Sequence, residues 1–458
     1  MRVIIEILKK YFNKYFSIFI VLFCSLYGLF NVNYWARDTK IFSSDPDQHY
    51  SYLKTFFIHD DFKFKENYHG YWLTPTKINT QVPKVTMGLS YLYSPGFITG
   101  HIWAKVNNYP EDGISYPYQK SMTYLIQIYM IIALFFYRKA LIYYFSDFVS
   151  GITIFSIYFG TNLFFYTLKE PAFPHSFIFC LVSLAIYFSV RWHETKEIKY
   201  AAIISFIVGI TTLIRPNEII ILLPLFFIGV NNKEQLNLKI INPFFKSPIN
   251  LILLFICFII PWIPQILFWK INTGQLFFYS YGKEEGFFWS DPQILNQWFS
   301  YRKGWFLYTP LAFLLTIGSL ILCKFRKSYF WSVLLFFLIN VFILSCWWDW
   351  WFGGGFGMRA YVQSYPLLGI GLAAIYTLLL KKNWISIITL PLISAMIYIN
   401  LWFTESYHNY LMHWDSMTKE SLWYIIKEDE VDNDERNHLE ELFVKPNYND
   451  AKIGKRDQ

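Results

Sequence analysis

Five short segments of this chain hold residues able to do chemistry, four of them beside long apolar runs and one about fifteen residues beyond the first such run. The first, Ser44-Asp45-Pro46-Asp47-Gln48-His49-Tyr50, sets two carboxylates close together, and such a pair can supply a general base and a neighbour that tunes it. The same residues also suit a helix start, with Asp45 as N-cap, Pro46 at the first helical position and Gln48 as capping-box partner. The two readings agree, because a cap fixes a carboxylate in place. In Lys169-Glu170-Pro171-Ala172-Phe173-Pro174-His175, two prolines pin a turn that crowds Lys169, Glu170 and His175 between apolar runs, where they either act on a ligand or snorkel to water. Arg215-Pro216-Asn217-Glu218 interrupts apolar sequence with charges that are costly there unless they face a cavity or each other. Arg302 and Lys303, just before Gly304-Trp305-Phe306-Leu307-Tyr308-Thr309-Pro310, are phosphate binders or interfacial anchors. The most unusual segment runs from Trp347 to Arg359, with four tryptophans around Asp349, then Gly353-Gly354-Gly355-Phe356-Gly357 and Met358-Arg359. The tryptophans would suit an interfacial belt, whereas Gly354 and Gly355 permit tight turns and close approach of a ligand to the backbone. Backbone N–H groups at a helix start together with Arg359 would make an anion site. The Gly-Lys-Ser/Thr ending of a nucleotide-hydrolase loop is absent.

The elements that must position these residues are membrane helices. The chain of 458 residues is 55% hydrophobic and 16% charged, against roughly a quarter charged in a soluble protein. Its apolar residues form runs of bilayer-spanning length. We expect an all-α membrane protein of about eleven transmembrane helices: a retained first helix from about Phe16 to Phe30, then spans near 122–138, 150–168, 175–191, 200–214, 217–230, 250–269, 305–323, 330–347, 361–380 and 384–403. With the basic N-terminus (Arg2, Lys9, Lys10, Lys14) in the cytoplasm, each inside loop carries at least two basic residues: Arg138-Lys139, Arg191 with Lys196 and Lys199, Lys233 with Lys239 and Lys246, Lys324 with Arg326 and Lys327, and Lys381-Lys382. All five chemical segments then fall on the non-cytoplasmic side, although only hydropathy and basic loops entered the assignment.

Residues 1–403 read as a polytopic catalytic domain and 404–458 as a non-cytoplasmic soluble tail, partly disordered over its last dozen residues, with an acidic stretch from Glu428 to Glu435. The first outer loop, about 34–120, includes an apolar stretch at 86–104 broken by Pro95 and three glycines, expected as a helix or hairpin in the interface. The net charge of +8 follows from membrane orientation, so nucleic acid is not an expected partner, whereas membrane lipids are. The five cysteines show no CxxC spacing, which argues against a disulfide framework or zinc site.

Taken in order, Ser44-Asp45, Ser94-Pro95-Gly96-Phe97, Asp112-Gly113-Ile114-Ser115-Tyr116-Pro117-Tyr118-Gln119, Leu213-Ile214-Arg215-Pro216, Gly304 to Pro310 and Trp351 to Arg359 resemble the polytopic glycosyltransferases of the GT-C class. That group contains the protein O-mannosyltransferases and the lipid A aminoarabinose transferases, and the chain looks most similar to their bacterial relatives. The resemblance covers most of residues 1–402. It implies a GT-C-like fold, a polyprenyl-phosphate-linked sugar donor, a lipid, glycan or protein acceptor, inversion at the anomeric carbon, and a site on the periplasmic face of the inner membrane. It also implies an acidic base in the first outer loop, which Asp45 matches. Many relatives have Asp-Glu where this chain has Asp45-Pro46-Asp47, so which of Asp45 and Asp47 is the base stays open. Arg359, Arg302, Arg215 and Lys169 are the cations available for the leaving phosphate, and Glu170, His175, Asp349, Gly354 and Gly355 complete the candidate site. No cofactor is certain. Asp45, Asp47 and Glu170 offer oxygen ligands for Mg²⁺ or Mn²⁺, while many relatives need no metal. The competing readings are a lipid-linked oligosaccharide polymerase or ligase, a transporter or flippase, and a membrane scaffold without catalysis. Apolar span centres and the lack of repeats weigh against transport.

Overall fold

The computed structural model describes residues 15–36, 41–64, 72–228, 230, 233–236, 247–282, 284–325, 327–381, 383–428 and 433–456. Arg2, Lys9, Lys10, Lys14, Lys239, Lys246, Arg326, Lys382 and residues 429–432 of the acidic stretch lie outside that set. The regular structure of the described residues is helical apart from one isolated bridge between Phe287 and Trp347 and a small antiparallel hairpin, β1 (Leu73–Pro75) with β2 (Gln81–Pro83), in which Thr74 faces Val82. Its first half comprises α1 (Phe16–Ala36), α2 (Asp45–Phe57), α3 (Gly88–Val106), α4 (Tyr116–Leu141), α5 (Asp147–Gly160), α6 (Leu163–Leu168), α7 (Pro174–Thr195) and α8 (Ile198–Ile214). A 3₁₀ turn (Pro216–Ile221) leads to α9 (Leu222–Phe227). Then come α10 (Pro248–Ile259) and α11 (Ile263–Thr273), which form one rod, followed by α12 (Leu311–Phe325), α13 (Lys327–Cys346), a 3₁₀ turn (Arg359–Ser364), α14 (Tyr365–Leu379) and α15 (Asn383–His408).

Among the described residues, seven helices are long and apolar enough to cross a bilayer: Phe16–Ala36, Tyr116–Leu141, Pro174–Thr195, Pro248–Thr273, Tyr329–Cys346, Arg359–Leu379 and Ile387–His408. Four shorter apolar helices, Asp147–Gly160, Ile198–Ile214, Pro216–Phe227 and Leu311–Leu322, occupy the other expected spans. The run at 150–168 is not one helix, because Thr161 is extended (φ −132°, ψ 165°) and α6 restarts beyond it. The run at 305–323 is likewise interrupted: Trp305–Tyr308 makes one short turn, and α12 begins only after Pro310. Prolines mark other starts, standing in the first turn of α2, α4, α7, α10 and α14, where a missing N–H costs nothing. No residue of α10 is buried, and Ile249, Phe255, Ile388 and Tyr398 are more than half exposed. Apolar side chains facing outward on helices whose backbones are internally satisfied are what a lipid solvent requires.

The stretch at 86–104 forms a single helix, α3, that continues through Pro95 and packs along α4 and α2. The tail departs from expectation. Beyond α15 it forms helices at Lys419–Lys427, Asn433–Glu441 and Tyr448–Lys452, so the described part of its last dozen residues is structured. Arg456 is buried: it pairs with Asp291 at 2.8 Å, donates to the Trp347 carbonyl at 2.9 Å and to that of Ser345 at 3.3 Å, and its own carbonyl accepts from the Trp350 indole. These long-range partners outweigh the local polar composition from which disorder was expected.

A close helix contact joins α12 to α14 at Gly318 and Gly371, where a Cβ on either would stand 2.5 Å from the other's carbonyl carbon. Overpacking of this kind costs about 1–3 kcal/mol. Gly371→Val should therefore lower the melting temperature of the detergent-solubilised protein by several degrees in a thermal-shift scan. Gly286→Ala, where an added Cβ meets open space, should leave it unchanged.

Candidate active site at the α2 and glycine-turn junction

Two elements far apart in sequence meet through one ion pair. Asp45 occupies the first turn of α2, and Arg359 opens the 3₁₀ turn that follows the glycine segment. Asp45 Oδ2 lies 2.9 Å from Arg359 Nη2, with the aspartate side chain 29% and the arginine side chain 10% exposed. Asp45 is thus the first helical residue and not the cap. Ser44 takes the capping position at φ 61° without a side-chain cap bond, and the Asp45 carboxylate is drawn to the guanidinium instead. Although burial alone would raise its pKa, Arg359, Arg215 and His49 hold the Asp45 carboxyl below the usual range. His49 follows one helical turn later on the same face. Its Nδ1 lies 3.1 Å from the Thr86 carbonyl, and burial lowers its pKa to about 4 in spite of Asp45.

The glycine segment is held open from behind. Phe352, Gly353, Gly355 and Gly357 all have positive φ, and a Cβ on Gly355 (φ 131°) would stand 2.7 Å from the Tyr166 hydroxyl. That hydroxyl accepts from the Phe356 N–H at 2.9 Å and donates to the Phe356 carbonyl at 3.0 Å, tying α6 to the turn. Lys303, only 2% exposed, donates to the carbonyls of Gly355 and Trp414. The turn thereby joins the tail, whose Trp414 carbonyl also accepts from the Gly355 N–H at 3.2 Å. A Cβ on Gly354 would meet the Trp414 ring at 3.2 Å.

Around Arg359 stand Glu170, Asp349, His175, Lys303 and Arg215, all within electrostatic reach of it. Burial raises the pKa of Glu170 to about 7 and that of Asp349 to about 7, against the opposing pull of Arg359 and Lys303. Burial, helped by Arg359, lowers that of Lys303 to about 7. Four polar atoms of this group are buried without a hydrogen-bond partner among the described residues: Glu170 Oε2, Asp349 Oδ1, His175 Nε2 and Arg359 Nε. Unmet polar atoms are rare in folded proteins, and several in one cluster mark a place shaped for a ligand.

The other candidates lie elsewhere. Asp47 is two residues from Asp45, hence on another face of α2, where it acts on Lys54 and Tyr50. Arg302 donates to the carbonyls of Asp415 and Val444 and lies over the Trp351 ring at 5.7 Å, which makes it a staple for the tail. Lys169 is half-buried, 5.5 Å over the Tyr410 ring. Arg215 and Glu218 form no side-chain ion pair: Glu218 accepts from Gln363 at 2.8 Å and from Asn217 at 3.3 Å, while the half-buried Arg215 bonds through its backbone and its guanidinium has no hydrogen bond or salt bridge among the described residues. Asp45, Asp47 and Glu170 are not gathered as ligands, and among the described residues no three His, Cys, Asp or Glu side chains come together to hold a metal ion. Tyr166, His49 and Gln363 belong to the site without having been singled out. The first two lie in or beside candidate segments, but a tyrosine in an apolar run and a histidine in a helix carry no signal of a distant partner.

No family model matches the chain, and no curated protein sequence does. Among solved structures, the chain is similar to the archaeal oligosaccharyltransferase AglB from Archaeoglobus fulgidus, solved in complex with an inhibitory peptide and a dolichol-phosphate. The TM-score is 0.54 at 12% identity, over 95% of this chain and 60% of that one. The likeness is one of fold, and the chain spans 60% of the length of the structure it matches. Together with the apolar helices, it makes the protein a membrane protein with a GT-C-type fold.

Proposed function

We propose that this protein is a glycosyltransferase that moves a sugar from a polyprenyl-phosphate donor to a lipid, glycan or protein acceptor at the outer face of the bacterial inner membrane, with inversion. The observation that carries the reading is the Asp45–Arg359 pair at 2.9 Å, which sets a carboxylate and a guanidinium at one partly open site lined by unmet polar atoms. The donor's phosphate competes for Arg359 and for the uncommitted Arg215, and in doing so releases Asp45. Asp45 takes the proton of the acceptor hydroxyl as that oxygen bonds to the anomeric carbon. The carbon–phosphate oxygen bond breaks, its electron pair leaves with the phosphate, and the two guanidiniums stabilise the charge that develops. The glycine turn supplies backbone close to the ligand.

The lipid part of the donor has a place to lie. An apolar cavity of about 280 Å³ lined by Ile204, Leu222, Leu254, Phe255 and Phe258 includes Ile219 of the 3₁₀ turn that follows Arg215. The AglB structure was solved with a dolichol-phosphate, a lipid phosphate of the donor's chemical class. That likeness also favours a second reading, oligosaccharyl transfer from a lipid-linked oligosaccharide, and transfer assays with both donor types separate the two.

In a transfer assay with polyprenyl-phosphate sugars, Asp45→Asn should lower kcat by about 10²–10⁴-fold and Arg359→Ala by about 10²–10³-fold, while Asp47→Asn loses less than about tenfold. Full transfer by Asp45→Asn would sink the assignment. The pH dependence has a definite sign. Below pH 7, Glu170 and Asp349 are neutral and Lys303 is charged, so the site is cationic; above it the carboxyls ionise and Lys303 loses its proton. Affinity for a polyprenyl-phosphate sugar, whose phosphodiester keeps a single charge across this range, should therefore fall in thermophoresis as pH rises through about 7, and a Glu170→Gln, Asp349→Asn double variant should flatten the curve. Sidedness is tested by labelling a Cys-less background in whole cells with an impermeant maleimide. Asp60→Cys should react from outside, and Lys381→Cys only after permeabilisation.

A further inference from the structure

The transfer chemistry leaves one buried group without a task. His175, at the start of α7, is fully buried, with its Nδ1 3.2 Å from Gln363 Oε1. Gln363 Nε2 in turn donates to Glu218 Oε1 at 2.8 Å. A carboxylate accepts and an amide NH₂ donates, so Glu218 sets which way the Gln363 amide faces. The amide oxygen, which can only accept, then faces the imidazole, and Nδ1 must carry the ring proton. In the neutral ring the lone pair is left on Nε2, on the far side from Gln363. That atom is buried and has no hydrogen-bond partner among the described residues. The ring is packed against Tyr166 (centroids 5.0 Å apart) and parallel to Phe173 (6.3 Å), over which the Arg359 guanidinium sits at 5.1 Å. The charged groups that act on it are Arg215 and Arg359.

An atom that can only accept a hydrogen bond therefore belongs to a ring that shares Phe173 with the Arg359 guanidinium and lies within electrostatic reach of Arg215, the two cations assigned to the donor's phosphate. The guanidiniums bind any phosphate and cannot distinguish a sugar conjugate from the bare lipid phosphate. The lone pair can, because a ligand that brings an O–H satisfies it and one that does not leaves it unmet. We infer that His175 Nε2 accepts a hydrogen bond from the donor sugar's hydroxyl next to the anomeric carbon, the hydroxyl that stands nearest the phosphate. His175 is thus a specificity residue, and Glu218 and Gln363 are positioning residues that fix its tautomer. This inference rests on the phosphate site proposed above.

Binding to the purified full-length protein tests it, using undecaprenyl phosphate and its conjugates with glucose, mannose and 2-deoxyglucose as probes. The wild type should bind the better of the two hydroxylated conjugates about three- to tenfold more tightly than the deoxy conjugate. His175→Phe, which keeps the ring packing, should remove that difference. Gln363→Met, which frees Nδ1 and lets the proton move to Nε2, should narrow it although residue 363 touches no ligand. Equal binding of hydroxylated and deoxy conjugates by the wild type, or a difference that survives in both variants, would overturn the inference. A preference shown instead by undecaprenyl phosphate below about pH 6, where its phosphate gains a proton, and lost in His175→Phe, would give the role to the phosphate O–H and overturn the sugar assignment. If wild-type binding of every probe is absent or indifferent to Arg215→Ala and Arg359→Ala, the phosphate site itself falls. Binding that needs both arginines but not His175 removes the selectivity alone.

Discussion

A charge taken out of water must be met by an opposite charge or by hydrogen bonds, and in a bundle of apolar helices few groups can meet it. That constraint explains the Asp45–Arg359 pair. The two residues are 314 positions apart in the chain. Their pairing draws α2, the first helix after α1, against the turn that opens α14. Once the pair is placed, the positions of the half-buried Glu170 and the buried Asp349 and Lys303 follow, since each relies on the charge of Arg359 or of the others for compensation.

The support for the pair comes from three directions. Tyr166 grips the glycine turn through both the N–H and the carbonyl of Phe356, which fixes the backbone from which Arg359 emerges. Lys303 bridges that turn to the tail through two carbonyls, and Arg302 beside it binds two carbonyls further along the tail. Adjacent cations of the same short segment thus do different work, one within the charged cluster and one holding the tail over it. The 3₁₀ turn after Arg215 contributes the third support, because its Glu218 is satisfied by Gln363 and Asn217, leaving the Arg215 guanidinium uncommitted.

Much of this was legible in the sequence, for a physical reason. Long apolar runs can fold only as helices in lipid, so the helix positions could be read from hydropathy, and charges at the ends of such runs are expensive enough to mark Asp45, Glu170, Arg215, Asp349 and Arg359. Local sequence could not report who meets whom. Asp45 reads as an N-cap because capping is local, and a guanidinium hundreds of residues away claims it instead. Arg302 reads as a phosphate ligand because its spacing shows a cation near an interface and nothing of the Asp415 and Val444 carbonyls that occupy it. Tyr166 is invisible inside an apolar run, where its ring fits as well as phenylalanine and its hydroxyl gives no sign of the backbone it holds. The breaks at Thr161 and Pro310 shorten two spans for reasons of backbone geometry that a hydropathy average smooths over.

The buried Arg456 lies beyond all fifteen named helices in chain order, yet it fills the space between Asp291 and the carbonyls of Ser345 and Trp347. A ribosome makes it after every one of those helices. The tryptophan-rich rim around Asp349 therefore receives its last packing partner only once synthesis has passed the bundle entirely. Closure of this rim is a late step, in which a segment downstream of the bundle folds back and locks side chains that the earlier helices had already brought together.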